Sequence, residues 1–170
     1  MGRTLPGQYS LLIAILFAIF FKEKQTAIPM SGNSVGTCGT YDTENITIGN
    51  NTIQVELADT DCKRTLGLSG RNTLANGDGM LFIFPAMDSW GFWMKDMNFA
   101  LDMVWADDAG TIVGIEKNAT PNTYNAKNPS QSEIFGQNYF AQYVIELPAG
   151  YTDRENVKVG NKILISGKSL

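Results

Sequence analysis

The chain has 170 residues, 44% of them hydrophobic and 18% charged, enough for one folded core with a modest extension and not the composition of a disordered protein. Its net charge of -4 and lack of a long Lys/Arg cluster argue against phosphate backbones, and so against DNA or RNA as partners. It contains no histidine, which excludes Ser-His-Asp and Cys-His catalysis and the HExxH zinc site and leaves carboxylates, Lys, Tyr, Ser and Cys as the available chemistry.

Residues 11–21 form an unbroken apolar run, with Arg3 ahead of it and Lys22, Glu23 and Lys24 behind it. As a helix such a run reaches roughly 20 Å, short of a hydrocarbon core of about 30 Å, which is the length of a signal-peptide h-region. Charges directly against its end and the lack of a small-x-small cleavage site fit an anchor instead, with Tyr9, Lys22 and Lys24 extending a marginal span over residues 9–21. Residues 1–24 are therefore read as a signal peptide or a signal anchor. Either one sends the rest of the chain to the periplasm or outside the cell, or holds it on the membrane.

Residues 25–41, rich in Ser, Gly, Thr and Asn, read as a flexible linker. Cys38 and Cys62 are the only cysteines. In an oxidising compartment they can pair, which would stabilise the fold by about 3 kcal/mol through loop closure. The other reading is two small buried hydrophobes that never meet.

The domain is expected over residues 42–168. Ile46 and Ile48, then Ile53, Val55 and Leu57, alternate with polar residues on either side of a Gly49-Asn50-Asn51 turn, which predicts a hairpin with one wet face. Asp59 or Thr60 should cap a helix that Gly70 ends, with Cys62 and Leu66 sharing its buried side. Met80 to Phe84 is a continuous apolar run, as expected of a strand covered on both faces. Trp90–Met94, Leu101–Trp105 and Thr111–Glu116 read as further strands, the last two joined through an Asp107-Asp108-Ala109-Gly110 turn. Residues 121–137 make a long polar loop, Phe140–Leu147 a strand, Thr152 to Glu155 a capping box opening a short helix, and Ile163–Ile165 a last strand. Many short strands with one or two brief helices predict a mostly β sandwich or barrel.

Five blocks occur in one order: Gly67-Leu68-Ser69-Gly70-Arg71, Gly79 to Phe84, Phe92 to Met97 with Leu101-Asp102, Glu146 to Gly150, and Val159-Gly160-Asn161. Together they resemble the DUF192 family, over roughly residues 55–165. The resemblance implies a jelly-roll-like β-sandwich that commonly follows an export signal, and it implies no reaction. The chain departs from the pattern at Lys95-Asp96-Met97, where the family usually reads Lys-Asn-Thr. It departs again at Ala100-Leu101-Asp102, where the family reads Pro-Leu-Asp, and in having no cysteine between residues 121 and 137.

Arg71, Lys95, Asp102 and Glu146 are the charged members of these blocks. Set among apolar residues, they should pair with one another if buried. They also suggest a small-molecule or glycan pocket in which Arg71 or Lys95 holds the ligand and Trp90, Phe92 and Trp93 form stacking walls. The leading expectation is a non-enzymatic binding module outside the cytoplasm that takes a small ligand, a glycan or an envelope partner. One alternative is a hydrolase using Asp102 and Glu146 as acid and base; the other is a purely structural envelope protein. No cofactor or metal is expected, because Met80, Met87, Met94, Met97 and Met103 read as pliable core filling beside aromatics.

Overall fold

The structure is a computed structural model that describes residues 38–49, 51–74 and 78–165. The apolar run and most of the linker expected before the domain lie outside the described residues. In chain order the elements are β1 (Thr43–Ile48), β2 (Asn51–Ala58), α1 (Asp61–Leu66), β3 (Asp78–Asp88), β4 (Leu101–Ala106), β5 (Ile112–Ala119), β6 (Ala141–Pro148), α2 (Tyr151–Arg154) and β7 (Ile163–Ile165).

The seven strands form one sheet in the order β5-β4-β6-β3-β2-β1-β7. β2 and β3 run parallel, joined by α1 and the stretch after it, and the other neighbouring strands are antiparallel. The sheet curls until its two edges meet at one end. There Thr111 bridges Lys162, the Ile112 N–H donates to Asn161 O at 2.9 Å, and the Ile163 N–H donates to Gly110 O at 2.8 Å. Of the two expected arrangements this is the barrel-like one, a half-barrel whose edges, among the described residues, join at that end alone.

Period-two alternation sends each strand's apolar residues to two separate cores. Ile46, Ile53, Val55, Leu81, Val104, Ile145 and Leu147 fill the inside of the curl with Tyr151, Val157 and Ile163. Met80, Phe82, Phe84, Leu101, Met103, Trp105 and Val144 face outward, and Leu68, Met94 and Phe135 from the covering segments pack onto them. β4 is buried along its whole length, and the run from Met80 to Phe82 is buried on both faces, as its unbroken apolar sequence predicts.

Several local expectations are corrected. Trp90–Met94 is not a strand: it crosses the outer face as irregular chain, held by a bridge in which Phe92 and Phe135 exchange N–H···O bonds of 3.0 and 2.8 Å and by the Trp105 indole N–H, which donates to Trp90 O at 3.0 Å. Its aromatic residues are spent on covering the sheet, and β-propensity alone does not distinguish covering from pairing. α1 is capped by Thr60 as expected, but it ends at Gly67, with φ of 50°, rather than at Gly70. Cys62 is exposed and Lys63 is buried instead, its Nζ 3.1 Å from Asp59. At α2 the N-cap is Gly150, and Thr152 lies inside the helix, so the capping box does not form.

The last residues of the predicted linker are tied down. Cys38 is bonded to Cys62 with Cα atoms 5.5 Å apart, and the Tyr41 ring lies between the Lys63 and Arg71 cations. Reducing this bond should lower unfolding stability by about 3 kcal/mol in the chain-entropy model. Urea denaturation with and without reductant measures the difference, and coincident curves would show that the arm adds nothing.

Gly136 marks the tightest packing of the cover. Its φ is 82°, and a Cβ built there would stand 2.2 Å from Trp105 Cζ2. Gly136→Ala should therefore cost about 3 kcal/mol from overpacking and backbone strain combined. A melting temperature equal to the parent's would refute the close contact.

Candidate functional site

The outer face carries a row of residues set by strand register: Glu56 on β2 lies opposite Met80 on β3, Met80 opposite Glu146 on β6, Glu146 opposite Met103 on β4, and Met103 opposite Glu116 on β5. Three carboxylates thus alternate with two thioethers across the sheet, and each carboxylate meets a different fate. Glu56 receives both Arg71 nitrogens at 2.8 and 2.6 Å, a bidentate pair that orders the exit from α1. Glu116 accepts from the Tyr139 hydroxyl at 3.0 Å. Glu146 is 5% exposed, its Oε2 is fully buried without a partner, and no hydrogen bond to its carboxyl is found among the described residues.

Glu146 lines a cavity of about 380 Å³ between the sheet, α1 and the covering segment. Phe82, Phe84, Trp90, Phe92 and Trp93 supply aromatic walls. They are locked by their own packing: Phe84 stacks on Trp90 with centroids 4.1 Å apart, and Phe92 meets Phe82 edge-on at 4.9 Å. Arg64 reaches in from α1, braced by a 2.6 Å bond to Ile83 O and by Asp61. Lys95 stands at the mouth with its Nζ 6.0 Å from the Trp93 ring centre, and it makes no ion pair among the described residues. Burial pushes the Glu146 carboxyl up to about 8, against a smaller downward pull from Arg71. At neutral pH the floor of the cavity is therefore mostly a neutral carboxylic acid, one O–H donor and one acceptor, beneath two cationic side chains.

A model of the DUF192 family, described as uncharacterized ACR, matches residues 44–165. The chain belongs to the DUF192 family. A crystal structure from Sinorhizobium meliloti 1021, described as that of a "putative transcription regulator", is 30% identical with a TM-score of 0.68, covering 76% of this chain and 98% of that one. A protein of unknown function from Novosphingobium aromaticivorans DSM 12444 shares the fold at 22% identity and a TM-score of 0.64, covering 82% of this chain and 97% of that one. No curated protein matches the chain.

Within this DUF192 domain the seven residues singled out from sequence divide into two groups. Trp90, Phe92, Trp93, Lys95 and Glu146 line one cavity. Arg71 and Asp102 do not, and the expectation that the four charged residues pair among themselves is corrected. Arg71 takes Glu56, which the hairpin pattern had marked only as a residue of the wet face.

Asp102 is wholly buried and points to the other side of the sheet. It lies opposite Leu147, an inner-core residue, whereas Glu146 lies opposite Met103 of the outer core. Its carboxylate accepts from the Asn118, Gly150 and Thr152 N–H groups and from the Thr152 hydroxyl, at 2.9, 3.1, 2.9 and 2.6 Å. Asp102 therefore clamps the α2 turn and the end of β5 to β4. It shares no cavity with Glu146, so the acid and base pair of the hydrolase reading has no geometry.

Arg64, Phe82 and Phe84 were missed as site residues. Phe82 and Phe84 look like any doubly buried strand, and for Arg64 the only local signal was an Asp61-to-Arg64 spacing of three on a capped helix, a weak one.

Proposed function

We propose that this DUF192 domain is a non-enzymatic binding module for a small molecule, one about the size of a single sugar or aromatic ring, held in the cavity beneath α1. The observation that carries the reading is Glu146: a buried carboxyl with an unpartnered oxygen, on the floor of an aromatic-walled cavity. An unsatisfied buried polar group costs about 1–3 kcal/mol, a cost a ligand can relieve. The cavity also favours this reading over a purely structural envelope role.

The net charge of -4 is the wrong sign for phosphate contacts and weighs against DNA binding as a role for this chain. An extracytoplasmic location is part of the proposal, supported by the apolar run at residues 11–21 and by the Cys38–Cys62 bond. Alkylating intact cells before lysis tests it: both cysteines should stay unmodified until reductant is added, and free thiols at both would sink the location.

Occupancy can be read from Trp90 and Trp93 fluorescence and from melting temperature. Against a panel of monosaccharides, uronic acids and aromatic acids, alcohols and amines, at least one class should quench the fluorescence and raise the melting temperature. Trp93→Ala should weaken that binding about tenfold, as expected for loss of one stacking wall. A silent panel, or affinity unaffected by Trp93→Ala, would remove the cavity as a binding site.

A further inference from the structure

The charges around the cavity select among small ligands. Arg64 on α1 and Lys95 on the covering segment line it, and Asp61, the other charged group there, is exposed and already bonded to Arg64. Outside the cavity the charge that acts on Glu146 is Arg71, which is compensated by Glu56. From the flanking strands Glu146 faces only Met80 and Met103, while Glu116, two strands away, is engaged by Tyr139. A chain of net charge -4 thus presents a cavity whose uncompensated charge is positive while Glu146 keeps its proton.

A cation entering here would meet Lys95 and Arg64 and would find an ionised partner only after Glu146 had given up its proton. An oxyanion meets the opposite conditions: a cation at the mouth, a guanidinium on the wall and an O–H donor at the floor. Carboxylic acid to carboxylate hydrogen bonds are short and strong, and they need the donor protonated.

We propose, resting on the binding reading above, that the cavity takes a small organic carboxylate bearing a flat ring. Its oxyanion accepts a hydrogen bond from the Glu146 carboxyl, its ring lies against Trp90, Phe92 and Trp93, and Lys95 draws it in. Binding then needs one proton on Glu146, which burial keeps there up to about pH 8. Above that pH, affinity should fall about tenfold for each further pH unit, because the ionised floor repels the ligand.

The test uses three probes of one shape, benzoate, benzamide and benzylamine, titrated into the purified protein by calorimetry at about pH 6 and about pH 9. Benzoate should bind best at the lower pH and at least about tenfold more weakly at the higher one. Glu146→Gln, which keeps a donor that does not titrate, should bind benzoate equally at both. Lys95→Ala, at an exposed position, should weaken benzoate but not benzamide.

Benzylamine binding that tightens as pH rises would overturn the proposal in favour of a cation, with the binding module intact. Benzamide matching benzoate without pH dependence would overturn it in favour of a neutral ligand, again leaving the module intact. No binding by any probe would also overturn it, and the broader panel then decides separately whether the cavity binds anything.

Discussion

Glu146→Gln should make the protein more stable at neutral pH, by about 3 kcal/mol at pH 7, a gain visible as a higher melting temperature. Burial, partly opposed by Arg71, raises this carboxyl from an ordinary 4.5 to about 8 in the folded chain. The unfolded chain therefore loses its proton first as pH rises, and ionisation favours unfolding. Stability is full below 4.5, declines as pH climbs to about 8, and levels off beyond. Glutamine has the same shape and no charge to lose, so the gap between variant and parent should be nearly nil at about pH 4 and widest at about pH 9. Denaturant titrations at those pH values and at neutrality measure it. A gap that closes with rising pH, or a variant that is less stable throughout, would contradict the buried neutral acid. Stability surrendered on a cavity floor supports the proposed binding role of Glu146.

Asp102→Ala should do the reverse and destabilise the fold by about 3 kcal/mol, since it strands the buried Thr152 N–H and hydroxyl and removes the acceptor of the part-buried Asn118 and Gly150 N–H groups. Burial alone would raise the Asp102 carboxyl, but the bonds from the Thr152 hydroxyl and from the Asn118, Thr152 and Gly150 N–H groups outweigh it and hold the carboxyl below its ordinary 3.8. Its contribution is therefore present above the unfolded value and is lost as acid carries the pH down through the folded one. Thr152→Val removes only the hydroxyl and should cost about 1–2 kcal/mol. Urea denaturation of the two variants tests the ranking. An Asp102→Ala protein as stable as its parent would mean that the clamp from β4 to α2 holds nothing. Taken together, the two carboxyls favour a stability maximum at about pH 4: below it the Asp102 of the unfolded chain takes up a proton while the folded carboxyl, held lower, stays ionised, and above it Glu146 ionises in the unfolded chain first.

The other half of the candidate site follows from local covering. Phe92 reads as a strand residue by type, yet it meets Phe82, Phe84 and Trp105 edge-on from a segment laid across the sheet. An aromatic residue is as good at capping a hydrophobic face as at joining a ladder, so its type alone did not choose. Arg64 was hidden for the same reason: its role depends on Ile83 O, a β3 carbonyl that helix spacing does not reveal.

By itself, the sequence determined the strands whose pattern is local. The Ile46 to Leu57 hairpin follows from alternation around a glycine turn, the doubly buried β3 from its unbroken apolar run, α1 from its Thr60 cap, and family membership from five ordered blocks. Only the tertiary structure decided which charged residues meet. Asp102 and Glu146 sit on adjacent strands, and the register of β4 against β6 turns one inward to a ring of N–H donors and the other outward to a cavity. A slip of one residue would exchange their faces, and that register is set by packing between distant stretches of chain rather than by the residues on either side of each carboxylate.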